Sequence, residues 1–233
     1  MMVGQLVCVG NVLPIYLFIL YISTPISKIV SGPTARSIPA AAANAFLPAV
    51  VLGYFTSQIP SFFHPDLTAR HWWSWVWQLY PVWTALLFIP FASILKTPAT
   101  SDSLPVTRRT IGILAVVSTC TYWYVLSTSG LSLSQLLLPE GSNPFQMPAD
   151  AAAALRVIVK YDYLTSYGAV LLWLGLSFRD LKAVDMMTKS WITILGVGAV
   201  ATVVLGPGSM LMLGWCVREQ ALTSRGRGGV KKL

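Results

Sequence analysis

The sequence predicts an all-α fold, a polytopic transmembrane helical bundle of six or seven spans. Three observations predict it. First, 55% of the 233 residues are apolar and only 10% are charged, with mean hydropathy +0.66. Ordinary soluble domains carry about 25% charged residues, and so few charges cannot cover a water-facing surface of this size. Second, the apolar residues gather in runs of about twenty, the length that crosses a ~30 Å hydrocarbon core. Third, most Lys and Arg fall between those runs, where they set orientation and meet lipid headgroups.

The first span covers about Val3–Ser23. It has no basic leading segment and no small-residue cleavage site, so it reads as a retained span rather than a cleaved signal. Lys28 and Arg36 follow, among Pro25, Gly32, Pro33 and Pro39. The second span covers about Ile38–Ser57, with Asn44 and Pro48 inside it. The third covers about Trp72–Leu95, behind a turn holding His64, Asp66, Arg70 and His71. The fourth covers about Thr110–Thr128.

Residues 129–149 form the longest connection, and its Leu136–Leu138 run reads as re-entrant or interfacial. Asp150 has the N-cap position for a fifth helix running to Phe178. At 1.5 Å per residue that helix is roughly 40 Å long, so it tilts or projects. A sixth apolar stretch, Ser190–Val217, is broken by Gly206-Pro207-Gly208, which predicts a kink or two half-helices. Residues 1–217 thus read as one transmembrane domain, and the basic, Gly-rich 218–233 as a flexible tail.

Counted over successive loops, Lys and Arg number two, one, three, none and three. This bias places the odd loops in the cytosol. Six spans put the basic tail on the opposite side, so either the tail is an exception to this bias or a seventh span exists, for which the long fourth connection is the natural place. The partners implied are the lipid bilayer and an apolar small molecule. Basic and aromatic residues do not interleave as a nucleic-acid surface requires, so no nucleic-acid partner is expected. Cys8, Cys120 and Cys216 have neither zinc nor disulfide spacing, and no metal site is read.

Eight acidic residues carry whatever acid–base chemistry exists. Asp162, in Val159-Lys160-Tyr161-Asp162-Tyr163, is the sharpest candidate. A carboxylate at membrane depth is costly and faces a cavity or a partner. In its neutral form it is a proton donor. Tyr161, Tyr163 and Tyr167 are available to hydrogen-bond it. The competing reading is a structural pair with Arg156 or Lys160, although Lys160 can snorkel outward. Glu219 follows Trp215 and Arg218 and reads as an ion pair or an assisting acid. Asp66 reads as a helix cap or as the mouth of a pocket. Trp77, Tyr80 and Trp83 stand at three-residue spacing, as one inward stripe would. Such a stripe packs a core or stabilises a cation by cation–π attraction. Asn44 and Gln78 are polar groups inside spans. No phosphate loop, GxSxG, HExxH or paired-aspartate motif is present, which argues against metal-assisted loss of diphosphate.

Three stretches together carry a resemblance: Ala69–Leu86 (ARHWWSWVWQLYPVWTAL), Tyr161–Lys182 (YDYLTSYGAVLLWLGLSFRDLK) and Leu205–Glu219 (LGPGSMLMLGWCVRE). They resemble the fungal membrane-bound terpene cyclases of ascofuranone-, ascochlorin- and macrophorin-type meroterpenoid pathways. The resemblance implies a cofactor-independent cyclase in the endoplasmic reticulum membrane. Its substrate would be a prenylated aromatic or quinone carrying a terminal epoxide or alkene. An acid protonates that group and the cation passes along folded alkenes. Asp162, Glu219 and Asp66 are the candidate catalytic residues. Trp77, Gln78, Tyr80, Trp83, Tyr163, Tyr167 and Asn44 are the candidate substrate-binding residues. The alternative is a proton-coupled small-molecule carrier or channel, with Asp162 as coupling site and the Gly-Pro-Gly break as hinge.

Overall fold

A computed structural model describes residues 8–32, 38–95, 103–137 and 150–224. The first residues of the expected first span, most of the long fourth connection and the end of the expected tail lie outside these. The described residues are helices and their connections, with no strand among them.

In chain order the helices are α1 (Val9–Ser23), α2 (Ile26–Val30), α3 (Ala40–Phe63), α4 (Leu67–Gln78), α5 (Tyr80–Ile94), α6 (Leu104–Thr128), α7 (Leu133–Leu137), α8 (Ala151–Ala183), α9 (Trp191–Leu205) and α10 (Pro207–Ser224). They belong to two compact units, where the sequence reads as one domain. Among the described residues the first unit is 38–110 and the second is 8–32 with 111–224.

Helices α3 and α6 are each long and apolar enough to cross a membrane. The α4–α5 pair, bent by 58°, passes the same test as one broken span, which makes up to three among the described residues. The six or seven expected spans are therefore not all met by length and composition. Helices α1 and α9 are apolar but only 15 residues each. Asp162, several tyrosines and the terminal Arg179, Asp180 and Lys182 dilute the apolar run of α8.

In the first unit, α3 begins on small residues, with Ala43, Ala45 and Ala49 all buried. Its middle, Val51–Phe55, is wound as a π-helix. There Gly53 is buried so close to α5 that an added Cβ would lie 2.6 Å from Thr84 Oγ1. The α4–α5 bend has a local cause, because Pro81 brings no N–H and restarts the helix as one of its first residues.

In the second unit, Asp150 caps α8 by accepting the Ala153 amide at 2.8 Å. The core is Leu174, Phe178, Leu181 and Leu222. Leu222 corrects the expected tail: α10 continues to Ser224, because Glu219 and Leu222 are buried faces of that helix.

The Gly-Pro-Gly break is real and well satisfied. Gly206 has φ +83°, and a Cβ there would lie 2.7 Å from the Tyr122 ring. The last three carbonyls of α9 accept side-chain hydrogen bonds from α6: Val203 from Tyr122, Val204 from Trp123 and Leu205 from Thr119. Ser209, at the start of α10, donates to Ala115 O at 2.7 Å and accepts from Thr119.

Candidate functional site

Asp162 lies on α8, and its carboxylate accepts the Gly10 backbone amide. Gly10 is the second residue of α1, whose own N-cap residue, Cys8, makes no side-chain cap. Asp162 therefore caps α1 from a distance of 152 residues, where the helix dipole favours a negative charge. Only glycine fits there, since a Cβ would lie 2.0 Å from Thr165 Oγ1. At its other end α1 is tied to α8 by the Tyr21 hydroxyl, which donates to Asp180 at 2.7 Å and accepts from Arg179.

Two expectations near Asp162 are corrected. Tyr163 and Tyr167 pair with each other, ring centroids 4.5 Å apart, and Tyr167 Oη points to the backbone at Gly208. Lys160 does not snorkel outward. It is buried and donates to the Gln135 carbonyl of α7.

The second unit also holds an apolar groove of about 250 Å³. Val170, Trp173 and Leu174 of α8 form one wall, Leu211, Met212 and Trp215 of α10 another, and Ile111 of α6 completes it. The α8 and α10 residues follow the three- and four-residue spacing of one helix face. The Arg218 guanidinium lies 5.5 Å from the centre of the Trp173 ring. Its Nη1 donates to Glu219 Oε1, one helical turn beyond Trp215. Glu219 is 5% exposed and is the only buried acidic residue among those described. The expected Arg218–Glu219 ion pair is thus present, and it adjoins the groove through Trp173. Asp162 stands eleven residues before Trp173 on α8, roughly 16 Å along the helix.

The remaining candidates lie in the first unit. Asp66 takes the capping role, accepting the Thr68 and Ala69 amides at 3.3 and 2.9 Å, and is exposed. Trp77 and Tyr80 stack at 5.8 Å, and Tyr54 of the π-wound segment meets both rings edge-on, at 6.1 and 5.0 Å. Trp83 leaves this stripe. Its indole N–H crosses the bend to Val76 O at 2.9 Å, and its ring lines a separate cavity of about 150 Å³ with Trp73 and Gly53. The expected spacing holds across the break for Trp77 and Tyr80 and is lost between Tyr80 and Trp83, both on α5. Gln78 is exposed, and Asn44 is half-buried between Ala43 and Ala45.

A family model described as the CtvD domain matches residues 1–223. The chain belongs to the CtvD domain family. It is 32% identical to the FAD-dependent monooxygenase verC1 of Penicillium polonicum, over 95% of this chain and 28% of that protein. It is 28% identical to the FAD-dependent monooxygenase anuJ of Penicillium roqueforti (strain FM164), over 93% of this chain and 27% of that protein. It is 24% identical to the FAD-dependent monooxygenase BOA8 of Botryotinia fuckeliana (strain B05.10), over 97% and 30%. The chain thus spans less than a third of the curated relatives it matches. No solved structure matches it.

The described residues do not fit the flavin in those names. Dinucleotide binding uses a strand, a Gly-rich turn and a helix N-terminus. The one matching pattern in the sequence, Gly196-x-Gly198-x-x-Ala201, lies inside α9, with nothing within 4 Å of a Cβ at either glycine. The groove is lined by apolar side chains alone and offers no partner to a pyrophosphate.

Proposed function

We propose that this chain is an integral-membrane terpene cyclase, in the endoplasmic reticulum, that opens a terminal epoxide or alkene of a prenylated substrate by protonation. One observation carries the reading: an apolar groove walled by Trp173 and Trp215 adjoins a buried Arg218–Glu219 pair. The lining suits a hydrocarbon chain, and indole faces stabilise a passing cation. Apolar side chains standing in the open, among them Ile192, Leu195, Val200 and Val203 of α9, suit a lipid surroundings for a bundle that would complete six or seven spans.

In this scheme Glu219 enters the cycle as the neutral acid: Arg218 Nη1 donates to its Oε1, and the proton on its other oxygen is the one transferred. Proton transfer to the epoxide oxygen breaks a C–O bond and leaves a carbon cation. An internal alkene attacks that carbon, forming a C–C bond and moving the charge along the chain. Loss of a C–H proton to the Glu219 carboxylate, or capture by an internal hydroxyl whose O–H proton passes to that carboxylate, ends the cascade and restores the acid, so the product is an isomer of the substrate. The relatives named FAD-dependent monooxygenases support an oxygenated alkene as trigger, since flavins carry O₂ chemistry.

The test is turnover by microsomes containing the chain, using farnesylated phenols with and without a terminal epoxide. Mass-neutral cyclisation is expected, and Glu219→Gln lowers its rate by about 10²–10⁴. No conversion by folded protein, or full activity of Glu219→Gln, overturns the scheme.

A further inference from the structure

We infer that α9 and α10 cross the membrane as two separate passes, and that the end of their unit carrying Lys28, Arg179, Lys182 and Lys189 rests on the anionic phospholipid headgroups of the cytosolic leaflet. Ile194 of α9 and Leu222 of α10 both pack in the core built on Leu174, Phe178 and Leu181 of α8. They are 28 residues apart, which a single straight crossing would spread over roughly 42 Å. The chain therefore turns back at Gly206, whose φ of +83° leaves the helical region. The break predicted from Gly-Pro-Gly is thus a reversal between two spans, not a kink within one.

Paired contacts fix the direction of the other long helices of the unit. Gly10 meets Asp162 and Tyr21 meets Asp180, so α1 runs parallel to α8. Tyr167 lies near Gly208 and Leu174 near Gly214, so α10 runs parallel to α8 as well. Thr119 bonds Ser209, and Ile111 lines the groove with Leu211 and Trp215, so α6 runs against α10. Thr128 and Asp150 then lie at the same end, and the connection between them makes an even number of crossings or none. The added span is supplied at Gly206 instead, and with α3 and the α4–α5 pair the crossings number seven.

Helices α1, α8 and α10 end, and α9 begins, at one end of the unit. There Lys28, Arg179, Lys182, Lys189 and Arg218 outnumber Asp180, Asp185 and Glu219 by two, and the sequence after Ser224 adds Arg225, Arg227, Lys231 and Lys232. Lys28, Arg179 and Lys189 are exposed. At the opposite end, among the described residues, Arg156 and Lys160 are matched by Asp150 and Asp162, and Lys160 is turned inward. A basic excess marks the cytosolic side, where anionic lipids attract it. Helix α9 is roughly 22 Å long, and short spans are met by thinning of the bilayer and snorkelling of flanking basic side chains. Lys182 has that role, its ammonium 5.9 Å from the centre of the exposed Trp191 ring. The same orientation puts Glu219 within about 8 Å of the cytosolic end of α10. None of this depends on the proposed cyclisation.

Two experiments on the full chain test the inference. In the first, the native cysteines are replaced by serine and one cysteine is returned at a time, by Thr128→Cys, Ala152→Cys, Thr188→Cys or Ser224→Cys. The chains sit in sealed microsomes whose cytosolic face is outward. A membrane-impermeant maleimide is expected to label the last two directly and the first two only after detergent. Opposite sides for positions 188 and 224 overturn the reversal. Protection of both, or direct labelling of the first two, overturns the orientation. In the second, the purified chain in neutral micelles takes up dansyl-phosphatidylserine or dansyl-phosphatidylcholine, read by energy transfer from tryptophan. Phosphatidylserine is expected to bind about tenfold or more tightly at low salt. Lys28→Gln with Lys189→Gln brings the two lipids within about twofold, whereas Arg156→Gln leaves their ratio unchanged. Equal binding by the parent chain, a ratio that survives the double substitution, or loss on Arg156→Gln instead overturns the headgroup surface.

Discussion

The amide of Gly10 and the carboxylate of Asp162 join the start of α1 to the middle of α8. This contact gives Asp162 a structural duty that competes with a catalytic one, and the two make opposite predictions for one substitution. Asp162→Ala removes the acceptor and lowers stability by about 1 kcal/mol, the usual worth of an N-cap. Asp162→Asn keeps an oxygen acceptor but has no acidic proton. Melting and turnover, read together, separate the roles. Turnover of the Asn variant within about tenfold of the parent is expected of a cap. Loss of turnover at an unchanged melting temperature returns the acid role to Asp162.

Gly10→Ala tests the same contact from the other side. The added Cβ meets Thr165 Oγ1, so overpacking costs about 1–3 kcal/mol. Thr165→Ala in the same chain recovers part of the loss, and a double-mutant cycle of melting temperatures reads the coupling. Additive effects would show that α1 and α8 do not pack through this pair.

Glycines elsewhere offer a graded comparison. Gly206→Ala forces a side chain onto a positive φ and into the Tyr122 ring. Gly196→Ala and Gly198→Ala enter open space inside a helix, where alanine gains up to about 1 kcal/mol. The expected order of melting temperatures places the first below the parent and the other two at or above it.

The end of α10 is core rather than tail. Leu222→Ala removes a side chain that is 3% exposed and costs about 2–5 kcal/mol. Stopping the chain after Val217 removes Glu219 and Leu222 together. It abolishes the monodisperse peak in size-exclusion chromatography, whereas stopping after Ser224 preserves it.

Helix positions were legible wherever the signal was local. Apolar runs between basic loops located α3, α5, α6 and α9, Asp150 marked the start of α8, and the Gly-Pro-Gly triplet marked the break before α10. Asp66 and the Arg218–Glu219 pair were legible for the same reason, since cap and partner lie within three residues. The groove was not, because Trp173 and Trp215 come from helices 42 residues apart in sequence and only packing brings them together. The three- and four-residue spacing of Val170–Leu174 and Leu211–Trp215 was the available signal, but it marks buried faces in general. Tyr54 was hidden because a π-wound turn shifts the register that helical counting assumes. Trp83 was misplaced because its indole N–H is drawn to the Val76 carbonyl, a contact that spacing alone does not reveal.

The hydrogen bonds around α9 and α1 also have an order in time. Ribosomes add about 5–20 residues per second. Tyr122 and Trp123 precede the carbonyls they serve by 81 residues, so they are made roughly 4–16 s earlier, and α9 ends against donors already synthesised. The start of α1 has the opposite history. Its acceptor is made 152 residues later, so the nascent first helix passes roughly 8–30 s with the Gly10 amide waiting for Asp162. Vectorial synthesis therefore leaves the start of the first helix uncapped until the middle of α8 has been made.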